Sequence, residues 1–139
     1  MYYDEYRPIL LKVSPDLSHE QLDEIIEYCL RSGIDGIVAG NTTRSRDGLT
    51  SISPEKIEAI GNGGMSGAPL YSKSLELVKY VHAKSGGKLP IIGVGGIMSP
   101  EQAKEMMDAG ASLVEIYSGF IYEGPALIKN INKHLENTL

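Results

Sequence analysis

Residues 89–119 read LPIIGVGGIMSPEQAKEMMDAGASLVEIYSG, and this stretch decides the fold. It predicts two buried strands, Pro90 to Val94 and Leu113 to Tyr117, joined by a helix that opens after a Gly-Gly turn. Gly95 and Gly96 end the first strand where bare backbone N–H groups can face an anion. The helix from Ser99 brings its N-terminal dipole nearby. The second strand ends in Tyr117, Ser118 and Gly119, at the same end of the same sheet. Two neighbouring strand ends with anion-binding chemistry match the phosphate cup that (β/α) barrels build after strands seven and eight. A phosphorylated ligand is therefore the first expectation.

Moving outward, the same alternation repeats. Ile9 to Val13 is a short apolar run stopped by Ser14-Pro15, which predicts a buried strand. Ser18 and Gln21 form a capping box, and Leu22, Ile25, Ile26, Cys29 and Leu30 follow at helical spacing until Gly33. Ile37 to Ala39 is the next strand. A polar, glycine-rich segment from Asn41 to Ser72 reads as a long loop, with Ser72 or Ser74 capping a helix marked by Leu75, Val78 and Val81. After the decisive stretch, a short loop leads to a helix from Pro125 with Leu127, Ile128, Ile131 and Leu135 as its stripe. Four strand–helix units in strict order predict a parallel sheet covered by helices. The joints SGIDGIV (32–38) and AGASLVEI (109–116) even look alike.

A closed (β/α)8 barrel needs about 250 residues, and this chain has 139. The fold expectation is thus α/β, the C-terminal half of a TIM barrel, four βα units equivalent to strands 5–8, with residues 1–139 as one partial domain of a larger enzyme. A four-stranded open α/β domain is the alternative, at the expense of two bare sheet edges. The net charge of −5 argues against nucleic acid or an anionic membrane surface as main partner. No run approaches the roughly 18 apolar residues of a spanning helix, and MYYDEYRPIL lacks the marks of a signal peptide. The single cysteine, Cys29, excludes an internal disulfide and fits a reducing compartment. His19, His82 and His134 are too scattered for a metal site.

Several residues stand where chemistry is expected. Lys12 sits in an apolar strand, one residue before its end; if buried it must be paired, and otherwise it snorkels to solvent. Asn41-Thr42-Thr43 follows a strand at its C-terminal end and offers donors and acceptors suited to a planar imide or carboxylate, or simply a turn. Gly63-Gly64-Met65-Ser66-Gly67 could supply backbone and hydroxyl donors to a phosphate or ribityl chain, within a loop long enough to suggest function. Arg44, Arg46 and Asp47 read as solvated charges, His19 as a first-turn helix residue and Cys29 as core. Tyr2, Tyr3 and Tyr6 crowd the start and suggest a covered surface. No nucleophile–base pair or pair of catalytic carboxylates is evident.

Five motifs, LLKVSPDL (10–17), DGIVAGNTT (35–43), GGMSGAPL (63–70), IIGVGGI (91–97) and GASLVEIYSGFIYEGPALI (110–128), closely resemble, in order, the C-terminal half of the class 2, quinone-dependent dihydroorotate dehydrogenases. The resemblance runs from about Pro8 to His134. It implies an FMN-containing barrel that oxidises dihydroorotate to orotate in pyrimidine synthesis, with hydride passing to the flavin and electrons to a quinone. On this sequence it implies that Lys12 contacts the flavin's pyrimidine edge and stabilises its anionic reduced form. It further implies that Asn41 and Thr42 bind the orotate, and that Gly40, Gly67, Gly96, Tyr117 and Ser118 hold the flavin. Gly40 departs from the family's usual threonine, which removes one hydroxyl contact or leaves it to backbone. The family's catalytic serine base, several substrate asparagines and the membrane-docking helices belong to its N-terminal half. The resemblance therefore implies no catalytic base in this chain, a missing half-barrel or a second copy as partner, and a full-length enzyme peripheral to the cytoplasmic side of the membrane. Two other readings stay open: a non-catalytic flavin- or phosphate-binding half-barrel, and a piece of another phosphate-binding barrel, from sugar-phosphate or tryptophan/histidine synthesis.

Overall fold

The computed structural model describes residues 5–138. Four short strands, β1 (Leu10–Val13), β2 (Gly36–Ala39), β3 (Ile91–Val94) and β4 (Leu113–Glu115), form one sheet in the order β1-β2-β3-β4. Every pair is parallel. Six helices connect or follow them: α1 (His19–Ser32), α2 (Pro54–Ile60), α3 (Tyr71–Ser85), α4 (Pro100–Asp108), α5 (Ser118–Glu123) and α6 (Pro125–Glu136), with a 3₁₀ turn at Ala68–Leu70 ahead of α3.

The local signals act as expected in α1. Ser18 accepts from the Gln21 N–H while the Gln21 side chain accepts from the Ser18 N–H, and Gly33 closes the helix in the left-handed region. Leu22, Ile26 and Cys29 are its buried stripe. Alternation along the strands sends Val13, Ile37, Ala39 and Ile91 into a core made with Val78, Val81, Ala103, Met106 and Ile131. The opposite row, Lys12, Val38, Ile92 and Leu113, runs in register across the sheet's other face. Among the described residues that face carries no helix, so Lys12 is exposed and Leu113 is 62% exposed.

Four expectations are corrected here. The strand read as Leu113 to Tyr117 stops at Glu115 and is not buried, because β4 is an edge strand; Tyr117 beyond it is 73% exposed. The segment from Asn41 to Ser72 is not structureless: it contains α2, the 3₁₀ turn and an antiparallel bridge between Thr43 and Met65. Ser72 and Ser74 do not cap α3, because the turn through Pro69, closed by Leu70 N–H on the Gly67 carbonyl, starts the helix at Tyr71. The short loop before α6 is itself helical, as α5. Cys29 is core as read, with burial pushing its thiol pKa upward. His19 opens α1 and stacks on Tyr80 at 4.2 Å. Tyr6 is exposed, while Tyr2 and Tyr3 lie outside the described residues.

Candidate functional site

The C-terminal ends of all four strands surround one cleft of about 290 Å³. Lys12 projects into it from the open face of β1, Gly40, Asn41 and Thr42 come from the end of β2, and Val94, Gly95, Gly96 and Ile97 from the end of β3. Glu115, Tyr117 and Ser118 close it from β4, and Ser66, Gly67 and Leu70 from the long loop. Lys12, Gly40, Asn41, Thr42, Gly67, Gly96, Tyr117 and Ser118, the eight residues assigned to ligands in the sequence reading, therefore line the same space, whereas Thr43, Gly63, Gly64 and Met65 do not.

Close packing of three loops builds the phosphate-like end. Gly96 has φ 73°, and a Cβ there would lie 2.5 Å from the Tyr71 nitrogen and 2.8 Å from the Gly67 carbonyl oxygen, so only glycine lets the β3 and Gly67 loops meet. Gly119 is as tightly placed, 2.3 Å from the Ile97 oxygen for an added Cβ, which joins the loops after β3 and β4. The Ser118 hydroxyl donates to Ser66 Oγ at 3.2 Å across the cup. Tyr71, at the start of α3, donates to the Gln102 carbonyl and to Glu105, tying this corner to α4. Burial and that carboxylate push the Tyr71 pKa far up, so the phenol stays a donor. The first residues of α4 do not line the cleft, whose wall after β3 ends at Ile97; Ser99 Oγ accepts from the Gln102 N–H and the Gln102 side chain accepts from the Met98 N–H.

The ring-like end is built by the β2 loop. Asn41 Oδ1 accepts from the Thr42 N–H at 2.9 Å, which engages the amide oxygen and leaves the amide NH₂ as the group to offer a ligand. Thr42 lies directly against Gly64, where an added Cβ would be 2.0 Å from Thr42 Oγ1. Gly40 gives its N–H to the Val94 carbonyl at 3.0 Å, and a Cβ there would meet Leu77 at 2.8 Å rather than open space. Thr43, grouped with Asn41 and Thr42 in the sequence, is separated from them: its side chain is buried and bonded to Asp16.

The sequence reading missed three features. Glu115 lines the cleft, and its signal was alternation: it pairs with Val94 and shares a face with Leu113. Arg46 is not simply solvated: its guanidinium donates to the carbonyls of Thr43, Arg44, Ser45, Gly61 and Gly63, and so organises the loop. Asp16 and Lys73 form an ion pair at 2.6 Å behind the β2 loop. Nothing in their spacing announces that contact.

The dihydroorotate dehydrogenase family model matches residues 4–139. A dihydroorotate dehydrogenase (quinone) of Christiangramia forsetii is 51% identical over 93% of the chain, and one of Salinispora arenicola 47% over 88%. The chain spans about a third of the length of these relatives, 36% of each. A crystal structure of DHODH from Eimeria tenella in complex with ferulenol superposes on 95% of the chain with a TM-score of 0.84 and 34% identity, covering 34% of that structure. The ligand-free type gives 0.83 at 35% identity. A family model matched over nearly the whole chain and a shared backbone over the same span place this chain in the dihydroorotate dehydrogenase family.

Proposed function

We propose that this chain provides the flavin-phosphate end and part of the substrate pocket of a quinone-linked, FMN-dependent dihydroorotate dehydrogenase. One observation carries the reading: the eight residues assigned to flavin and orotate from the sequence, far apart in the chain, converge on a single cleft at the carboxyl ends of the strands. The donor set fits FMN. Gly67 and Gly96 bring backbone close without side chains, and Ser66 and Ser118 add hydroxyls, all at the end suited to a phosphate and ribityl chain. Lys12 sets a cation at the opposite end of the cleft, where an electron-rich ring would lie. When bound, FMN supplies hydride acceptance. The chain's own residues hold the ligands: the Asn41 amide and Thr42 hydroxyl orient a planar substrate carrying an imide and a carboxylate. Lys12 offsets negative charge beside them.

In this reading residues 1–139 are a partial barrel, the proton-abstracting base lies outside them, and the remaining strands close the cleft. The quinone and the membrane surface meet those other parts; among the described residues no helix is long and apolar enough to cross a membrane. The test is Lys12→Ala in the complete natural protein. Flavin content or dihydroorotate turnover falls, the latter by about 10²-fold, as for other charge-stabilising groups. Normal flavin and normal turnover would remove Lys12 from the site.

A further inference from the structure

Behind the cleft, three segments distant in the chain meet on one hydroxyl. Thr43 is 1% exposed, and its Oγ1 donates to Asp16 Oδ1 at 2.5 Å. The same oxygen accepts from Lys73 Nζ at 3.2 Å and from the Ser45 N–H at 3.0 Å. One donor and two acceptor positions are all a hydroxyl has, and here each is used. Asp16 Oδ1 also receives Lys73 Nζ at 2.6 Å, and its Oδ2 receives the Arg44 N–H at 2.7 Å. Thr43 backbone is held as well, exchanging two hydrogen bonds with Met65 at 3.1 and 2.7 Å. None of Asp16, Thr43 and Lys73 lines the cleft, yet Asn41 and Thr42 precede this anchor directly.

We propose that Asp16, Thr43 and Lys73 are positioning residues that fix the Asn41–Thr42 turn for a planar, hydrogen-bonding substrate. The inference rests on the functional reading above and assigns the back wall of that site. Packing alone does not call for this arrangement. A valine would fill the same buried volume without a polar demand, and the Lys73–Asp16 ion pair taken by itself, with side chains 40% and 26% exposed, adds little net stability beyond the carboxylate's bonds to the Arg44 N–H and Thr43. What the hydroxyl adds is direction: it sets the rotation of the chain just after the two ligand-facing residues. An error of about 1 Å there is enough to misplace a substrate.

The test uses Thr43→Val and Lys73→Met in the complete natural protein, with flavin content, kcat and KM for dihydroorotate measured together. KM rises about tenfold in each, kcat changes by about threefold at most, and flavin content stays at the wild-type level. Thr43→Ser, which keeps the hydroxyl, restores KM, and the double variant is no worse than Thr43→Val because the three groups act as one unit. Unchanged KM in both single variants overturns the proposal. So does joint loss of flavin and turnover that Thr43→Ser fails to restore, since that marks a merely structural role. A wild-type protein that holds flavin but shows no dihydroorotate turnover overturns the functional reading, and this proposal with it.

Discussion

At the scale of single residues, electrostatics and close approach decide the outcome. Burial pushes the Asp16 carboxyl pKa up, but the Arg44 N–H, the Lys73 ammonium and the Thr43 hydroxyl outweigh it and hold it at about 2, below the ordinary 3.8. A carboxyl whose pKa is lower in the folded than in the unfolded chain stabilises the fold above the unfolded value. The contribution, roughly 1–2 kcal/mol after allowance for partial exposure, is present above about pH 4 and lost as pH falls from about 4 to about 2. Denaturant unfolding between pH 2 and 6 checks this: Asp16→Asn should flatten that part of the stability profile. Gly96→Ala is a sharper case, since its Cβ would sit 2.5 Å from the Tyr71 nitrogen in a left-handed conformation. The variant should lose most of its flavin, read from absorbance after gel filtration, with the far-ultraviolet circular dichroism little changed. Lys12 shows the limit of sequence reading at this scale. Its place in an apolar strand left burial with a partner and snorkelling to solvent both open; alternation turns it onto the face opposite the core, where it is exposed and lines the cleft.

At the scale of elements, legibility follows the hydrophobic stripe. The helices α1, α3, α4 and α6 bury apolar residues at helical spacing and were readable. The missed helix α2 buries none of its residues, so it left no periodicity to find. The other missed helix, α5, is six residues long and buries only Gly119, in a stretch whose glycine and aromatics favour a loop reading. Strand ends were less legible than strand centres: β4 loses its last two expected residues because it lacks a neighbour beyond it. The residues assigned to ligands from the sequence line one cleft because each lies at a strand end or a glycine turn. The Asp16–Thr43–Lys73 cluster was not legible, because contacts 27 and 57 residues apart have no local signature. The α1 cap gives a direct check. Ser18→Ala should lower stability by about 1 kcal/mol in denaturant unfolding, because the Gln21 N–H loses its side-chain acceptor.

At the scale of the whole molecule, the sheet has helices on one face and an open, partly apolar surface on the other. Val38, Ile92 and Leu113 share that face, and Tyr117, Phe120, Ile121 and Tyr122 are exposed beyond its upper edge. The outer edges of β1 and β4 are unpaired among the described strands. An apolar face with two free edges favours further association, and relatives nearly three times as long supply one natural answer. Residues 1–139 produced alone should therefore self-associate in sedimentation velocity at micromolar concentration; a stable monomer would contradict the half-barrel account. The central claim, that this cleft is the flavin and substrate end of a dihydroorotate dehydrogenase, is tested most directly by mixing the complete natural protein with dihydroorotate under anaerobic conditions and following its flavin absorbance. The account predicts a protein that carries flavin and bleaches on addition of dihydroorotate; a flavin-free protein, or a flavin that dihydroorotate leaves oxidised, would contradict it.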